Sequence, residues 1–151
     1  MIKTYGVKLS NDYMGYDTDE EVISSNSNLK LLQSGHPAFG YGGHEPLCYN
    51  YALHNYTIDD IDDAFDYLIS KYKVIKISEA KKGDIVTYHY KGYKNICNTD
   101  NIAHFAKIEN CSGTIKSTII TSKWGRYGVY ASSLEDVPKN YGANIQIWRK
   151  K

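Results

Sequence analysis

Cysteine, proline and methionine are all scarce in these 151 residues, with three, three and two copies, and each scarcity excludes something. Cys48, Cys97 and Cys111 form an odd set, too few for the disulfide framework that replaces a core in small secreted scaffolds. Within one chain at least one thiol must stay free. Pro37, Pro46 and Pro138 are too few for a polyproline segment, and each falls near a turn. No apolar run approaches the roughly 20 residues that cross a bilayer, which argues against membrane insertion. The opening Met1-Ile2-Lys3-Thr4-Tyr5-Gly6 carries a charge without an apolar stretch behind it, so no ordinary secretion signal is expected. The expected location is cytoplasmic as synthesised, with delivery by another route left open. An excess of charge is missing too: 18 basic against 17 acidic residues leave +1, and no global field draws the chain to nucleic acid.

What is present is a 42% hydrophobic chain long enough to bury one sizeable core, read as one domain over 1–151 with 1–35 an N-terminal extension of unclear pattern. Tyrosine is abundant, with 15 copies scattered without a period. Rigid phenol rings suit binding surfaces, so a protein partner remains an option.

Residues 17–33 have room for one or two short helices, interrupted by Ser24-Ser25-Asn26-Ser27-Asn28. A glycine-rich loop from Ser34 to Pro46 leads into the helix-compatible run Leu47 to Leu53, which sets Cys48 at a helix N-terminus. Thr57 is the expected cap of the next helix, where Asp59, Asp60, Asp62 and Asp63 suit the positive end of the dipole. Ile58, Ile61, Phe65, Leu68, Ile69 and Tyr72 follow at helical spacing. Beyond them the period changes, and 84–90, 102–109, 114–121 and 144–148 are predicted strands. Helices followed by strands joined through short turns predict an α+β fold with an antiparallel sheet.

A thiol at a helix N-terminus is suited to act as a nucleophile, because the dipole and nearby amides favour thiolate. It needs a base, and His104 stands at the start of an amphipathic strand in the predicted sheet. The pair can also be read as a buried thiol and an unrelated histidine.

Ala80-Lys81-Lys82-Gly83-Asp84-Ile85-Val86-Thr87-Tyr88, followed by Ile102-Ala103-His104-Phe105-Ala106-Lys107-Ile108-Glu109, resembles the Gly-Asp strand and the His strand of NlpC-type papain-like peptidases and CHAP-type amidases. Tyr41-Gly42-Gly43-His44-Glu45-Pro46-Leu47-Cys48 is similar to the glycine-rich approach to their catalytic cysteine. Thr121-Ser122-Lys123-Trp124-Gly125 and the late Tyr141-Gly142 continue the likeness, which spans residue 36 onward. The resemblance implies a papain-like fold with the Cys-bearing helix packed on an antiparallel sheet. It also implies Cys48 as nucleophile, His104 as general base and Ser122 as the polar residue orienting it, with Tyr41, Gly42, Gly43 and His44 meeting the substrate. It departs from the family at Tyr49-Asn50, where Ser-Gly is usual, and at Phe39, where tyrosine is common, so peptidoglycan specificity stays open.

Other chemistries fit less well. His44, Cys48, Cys97 and His104 match no compact zinc spacing, so no metal is expected. Gly40, Gly42 and Gly43 lack the Gly-Lys-Ser/Thr ending of a phosphate loop, and Asp59 to Asp63 lack the ligand order of a calcium loop. Lys91, Lys94 and Lys107 among Tyr88, Tyr90 and Tyr93 fit a solvated hairpin edge better than a nucleic-acid surface. The expectation is a thiol hydrolase that cuts an amide bond in a peptide or protein, as peptidase, amidase or deamidase, without a cofactor. The alternative is a non-catalytic inhibitor or adaptor on the same scaffold, using tyrosine-rich loops.

Overall fold

The computed structural model describes residues 5–9, 18–34, 47–90, 102–124, 127–138, 141, 142 and 144–151. These form a mixed α/β fold built on one antiparallel sheet. In chain order the elements are β1 (Tyr5–Gly6), α1 (Asp19–Ser25), β2 (Lys30–Gln33), α2 (Cys48–Leu53), α3 (Ile61–Lys71), β3 (Tyr72–Ile75), β4 (Ile85–His89), β5 (Ile102–Asn110), β6 (Ile119–Lys123), β7 (Val129–Ser133) and β8 (Asn144–Lys150). The strands run β1-β8-β4-β5-β6-β7-β2, and β3 pairs with β8 as well. No helix among the described residues is long and apolar enough to cross a membrane.

Alternation along the central strands sends side chains to two cores. On one face Ile85, Phe105 and Trp148 pack against Tyr49, Ala52 and Leu53 of α2 and Phe65 and Leu68 of α3. On the other Val86, Tyr88, Ala106, Ile108, Ile145 and Ile147 pack with Val22 of α1 and with Leu134 and Val137. A side chain as fully buried as Leu68 contributes about 2 kcal/mol. β4 is buried at every position because it is central and covered on both faces.

The Gly-Asp pair explains how β4 starts. Asp84 accepts from the Lys81 N–H at 2.8 Å and takes two bonds from Arg149 of β8, from Nε at 3.1 Å and from Nη2 at 2.8 Å. One carboxylate thus closes the turn and fixes the two strands end to end.

Three expectations change. The α3 cap is Asp60, whose carboxylate accepts from the Asp63 N–H at 2.8 Å; Thr57 instead donates its hydroxyl to Asn55. Tyr72, expected as the last helical position, opens β3 and pairs with Lys150. The strand expected over 114–121 begins at Ile119, because Ser117 and Thr118 each donate their hydroxyls to the Thr114 carbonyl and curl 114–118 into a turn. Within 1–35, β1 and β2 join the sheet against β8 and β7. Asp19 ties α1 to the β7 side by accepting from the Gly128 N–H at 2.8 Å and from the Tyr130 hydroxyl.

Candidate active site

Cys48 is the first residue of α2, as its sequence context predicts. The helix is short, and Asn50 makes it hold. Its side-chain oxygen accepts from the Leu47 N–H at 2.9 Å, while its amide nitrogen donates to the carbonyls of Asn55 at 3.0 Å and Ile58 at 2.9 Å. This one buried amide stitches the entry to α2 to the loop beyond it, and so fixes Cys48. Sequence reading treated Asn50 only as a departure from Ser-Gly. The signal it missed is a carboxamide three residues after a helix entry, able to satisfy a free N–H.

The sulfur meets the strand that carries His104. The β5–β6 ladder reaches Lys107 paired with Thr121, and beyond it the Phe105 N–H points at Cys48. Sγ therefore sits against the peptide that joins His104 to Phe105. The N–H groups of Tyr49 and of Cys48 itself also face the sulfur, and the Lys123 ammonium adds a favourable charge. Burial outweighs them all, and the thiol is pushed up to about 11. The helix start supplies the amides that sequence reading anticipated, but taking the sulfur out of water costs the thiolate more than those amides return.

His104 is fully buried, with its ring on the opposite face from α2. It is paired with Tyr88 across β4–β5, and its ring lies flat on Tyr141, centroids 3.9 Å apart and planes 9° apart. Among the described residues neither ring nitrogen has a hydrogen-bond partner, so there is no Cys48–His104 bond. Burial pulls this imidazole down to about 3. In this arrangement thiol and imidazole are both neutral and adjacent through the backbone, rather than an ion pair.

Ser122 is buried on β6, and its Oγ accepts from the Trp124 indole at 3.0 Å. It makes no bond to His104 here. Tyr41, Gly42, Gly43 and His44, expected at the substrate, lie outside the described residues, as does Cys97. Among the described residues no cluster of three His, Cys, Asp or Glu is arranged to hold a metal ion.

A second polar group, unnoticed in the sequence, lies on the helix-covered face. Trp148 Nε1 donates to Thr87 Oγ1 at 2.9 Å, and Thr87 Oγ1 lies 2.8 Å from His89 Nε2. Indole can only donate, so Thr87 Oγ1 accepts from Trp148 and joins it to His89 Nε2 in one buried chain. Gln146, paired with Thr87 across β4–β8, is fully buried with both amide atoms unpartnered. Alternating Thr-x-His and Gln-x-Trp within apolar strands was the signal for it. Comparison with protein-family models, curated proteins and solved structures gave no match.

Proposed function

We propose that this chain is a papain-like thiol hydrolase acting on an amide bond of a peptide or protein, with Cys48 as nucleophile and His104 as general base. One observation carries the reading: the Cys48 sulfur rests on the peptide that follows His104, although the two residues belong to separate elements. A Cys-bearing helix start packed against the antiparallel sheet supports it, as does the order Cys48, Gly83-Asp84, His104 and Ser122.

In the proposed reaction the Cys48 thiol proton passes to His104 as the sulfur bonds to the substrate carbonyl carbon. The oxyanion is met by the N–H of Cys48 and the α2 terminus. The tetrahedral adduct then expels the amine, which takes the proton from His104, leaving a thioester. Water then adds to the thioester carbonyl, giving a proton to His104; the C–S bond breaks and the sulfur takes that proton back, releasing the acid and restoring the thiol. Two neutral partners suit this sequence, since the proton moves during attack rather than before it. The imidazole must first turn its edge toward the sulfur, and Ser122 is the neighbour we assign to steady it there.

The unpartnered nitrogens of His104 and the raised Cys48 thiol favour a second reading, a non-catalytic binding protein on this scaffold. Iodoacetamide labelling across pH, with the labelled cysteine located by mass spectrometry, separates the two. The hydrolase reading expects His104, taking the proton during attack, to let Cys48 label below the roughly 8.5 of a free thiol although burial raises its own titration to about 11. It expects His104→Ala to slow that labelling at least about tenfold. Labelling that rises only at alkaline pH and ignores His104→Ala sinks the hydrolase and leaves the binding protein.

A further inference from the structure

The Tyr141–His104 stack has no part in the chemistry above, yet among the described residues it is the closest ring contact that His104 makes. Three observations bear on what it does. Tyr141 is held from its own backbone, its N–H donating to the Pro138 carbonyl at 3.0 Å. Gly142 follows at φ +90°, and a Cβ there would collide with the His89 carbonyl, so only glycine lets the chain run against the end of β4. The Tyr141 ring also lies within electrostatic reach of Cys48. The phenol plane thus stands beside the imidazole and within reach of the sulfur's field.

We propose that Tyr141, fixed by the glycine-only turn at Gly142, is a positioning residue whose ring face sets the orientation of the His104 imidazole toward Cys48. The inference rests on the hydrolase reading and deepens it. Among the described residues His104 has no hydrogen bond to define its ring angle, its ring contacts are Tyr88 from β4 and Tyr141 from the turn before β8, and Cys48 faces the adjoining Phe105 peptide. Tyr88 spends its hydroxyl on the Leu134 carbonyl at 2.7 Å and meets His104 tilted by 52°. The flat contact of Tyr141 is therefore the one that selects a single plane for the imidazole. A stacked aromatic pair restricts tilt while permitting sliding within the plane, which is the motion that carries a ring edge toward a neighbour.

The test uses the intact chain, with iodoacetamide as the probe of Cys48 and proton NMR of the His104 ring. The wild-type His104 ring protons are expected upfield, shielded by Tyr141. Tyr141→Leu is expected to lose that shielding and roughly tenfold of the His104-dependent labelling rate, with a shifted pH profile, and Tyr141→Phe to restore both. Unshielded ring protons in the wild type overturn the inference, whether or not Tyr141→Leu folds. A Tyr141→Leu protein that keeps the wild-type pH profile also overturns it, while labelling still slowed by His104→Ala leaves the hydrolase reading standing. Labelling indifferent to His104→Ala overturns that reading and the inference with it.

Discussion

His89 and His104 are both fully buried, on neighbouring strands and opposite faces of one sheet, and they are kept in opposite ways. His89, on the face covered by α2 and α3, is bonded to Thr87, which is bonded in turn to Trp148. His104, on the other face, has aromatic neighbours and no hydrogen bond. A buried polar group normally finds a partner, and His89 follows that rule. His104 breaks it, and the break stands beside the peptide that Cys48 faces. A bonded histidine is held in one pose. An unbonded one remains available to accept a proton.

The largest effect expected from breaking this contrast is on the bonded side. Thr87→Val keeps the shape but takes the hydroxyl away from the buried Trp148 N–H and from His89 Nε2, and urea unfolding should register a loss of about 2–4 kcal/mol. On the unbonded side the handle is pH. His104 binds its proton near the usual 6.5 when unfolded but only near about 3 when folded. The unfolded chain therefore takes up the extra proton, and stability is complete above pH 6.5 and lost as pH falls toward 3. Down to pH 5 this amounts to roughly 2 kcal/mol, and His104→Leu should remove that part of the slope in unfolding curves taken across pH.

A smaller effect, of opposite sign, sharpens the comparison on the helix-covered face. Gln146→Leu replaces two unpartnered amide atoms with apolar ones, and should raise stability by about 1–2 kcal/mol in the same titration. Smallest is Ser122→Ala, which deprives the Trp124 indole of its acceptor and should cost about 1 kcal/mol. If it also changes the pH profile of Cys48 labelling, Ser122 reaches His104 during turnover as well as Trp124 at rest.

The sequence carried the local half of this arrangement. Cys48 at a helix start, His104 early in a strand, and β4, β5 and β8 all followed from apolar periodicity, because their side chains face cores that their own spacing describes. It did not carry what depends on competition between short-range bonds. Thr57 and Asp60 are both good caps, and Asn55 decided between them by accepting from Thr57. Thr114 to Thr118 alternate like a strand, yet their hydroxyls bond back to the chain. Nor could spacing reveal that β1 and β2, two and four residues long, are strands at all, since each is defined by a partner more than ninety positions away. The ring plane of His104 was equally hidden, because Tyr141 reaches it through a turn whose geometry depends on one glycine.

β8 has a consequence for the order in which the molecule assembles. The last strand in chain order does not lie at an edge; it stands between β4 on one side and β1 and β3 on the other. During synthesis β4, β5, β6 and β7 can pair as they emerge, while β1 and β3 wait for a partner not yet made. Until Asn144–Lys150 arrives, β4 presents an unpaired edge rich in valine, isoleucine and tyrosine, and Asp84 has no Arg149. Closure of the sheet is thus a late event that depends on contacts distant in sequence, which is the pattern of a slow folder whose incomplete chains are prone to associate.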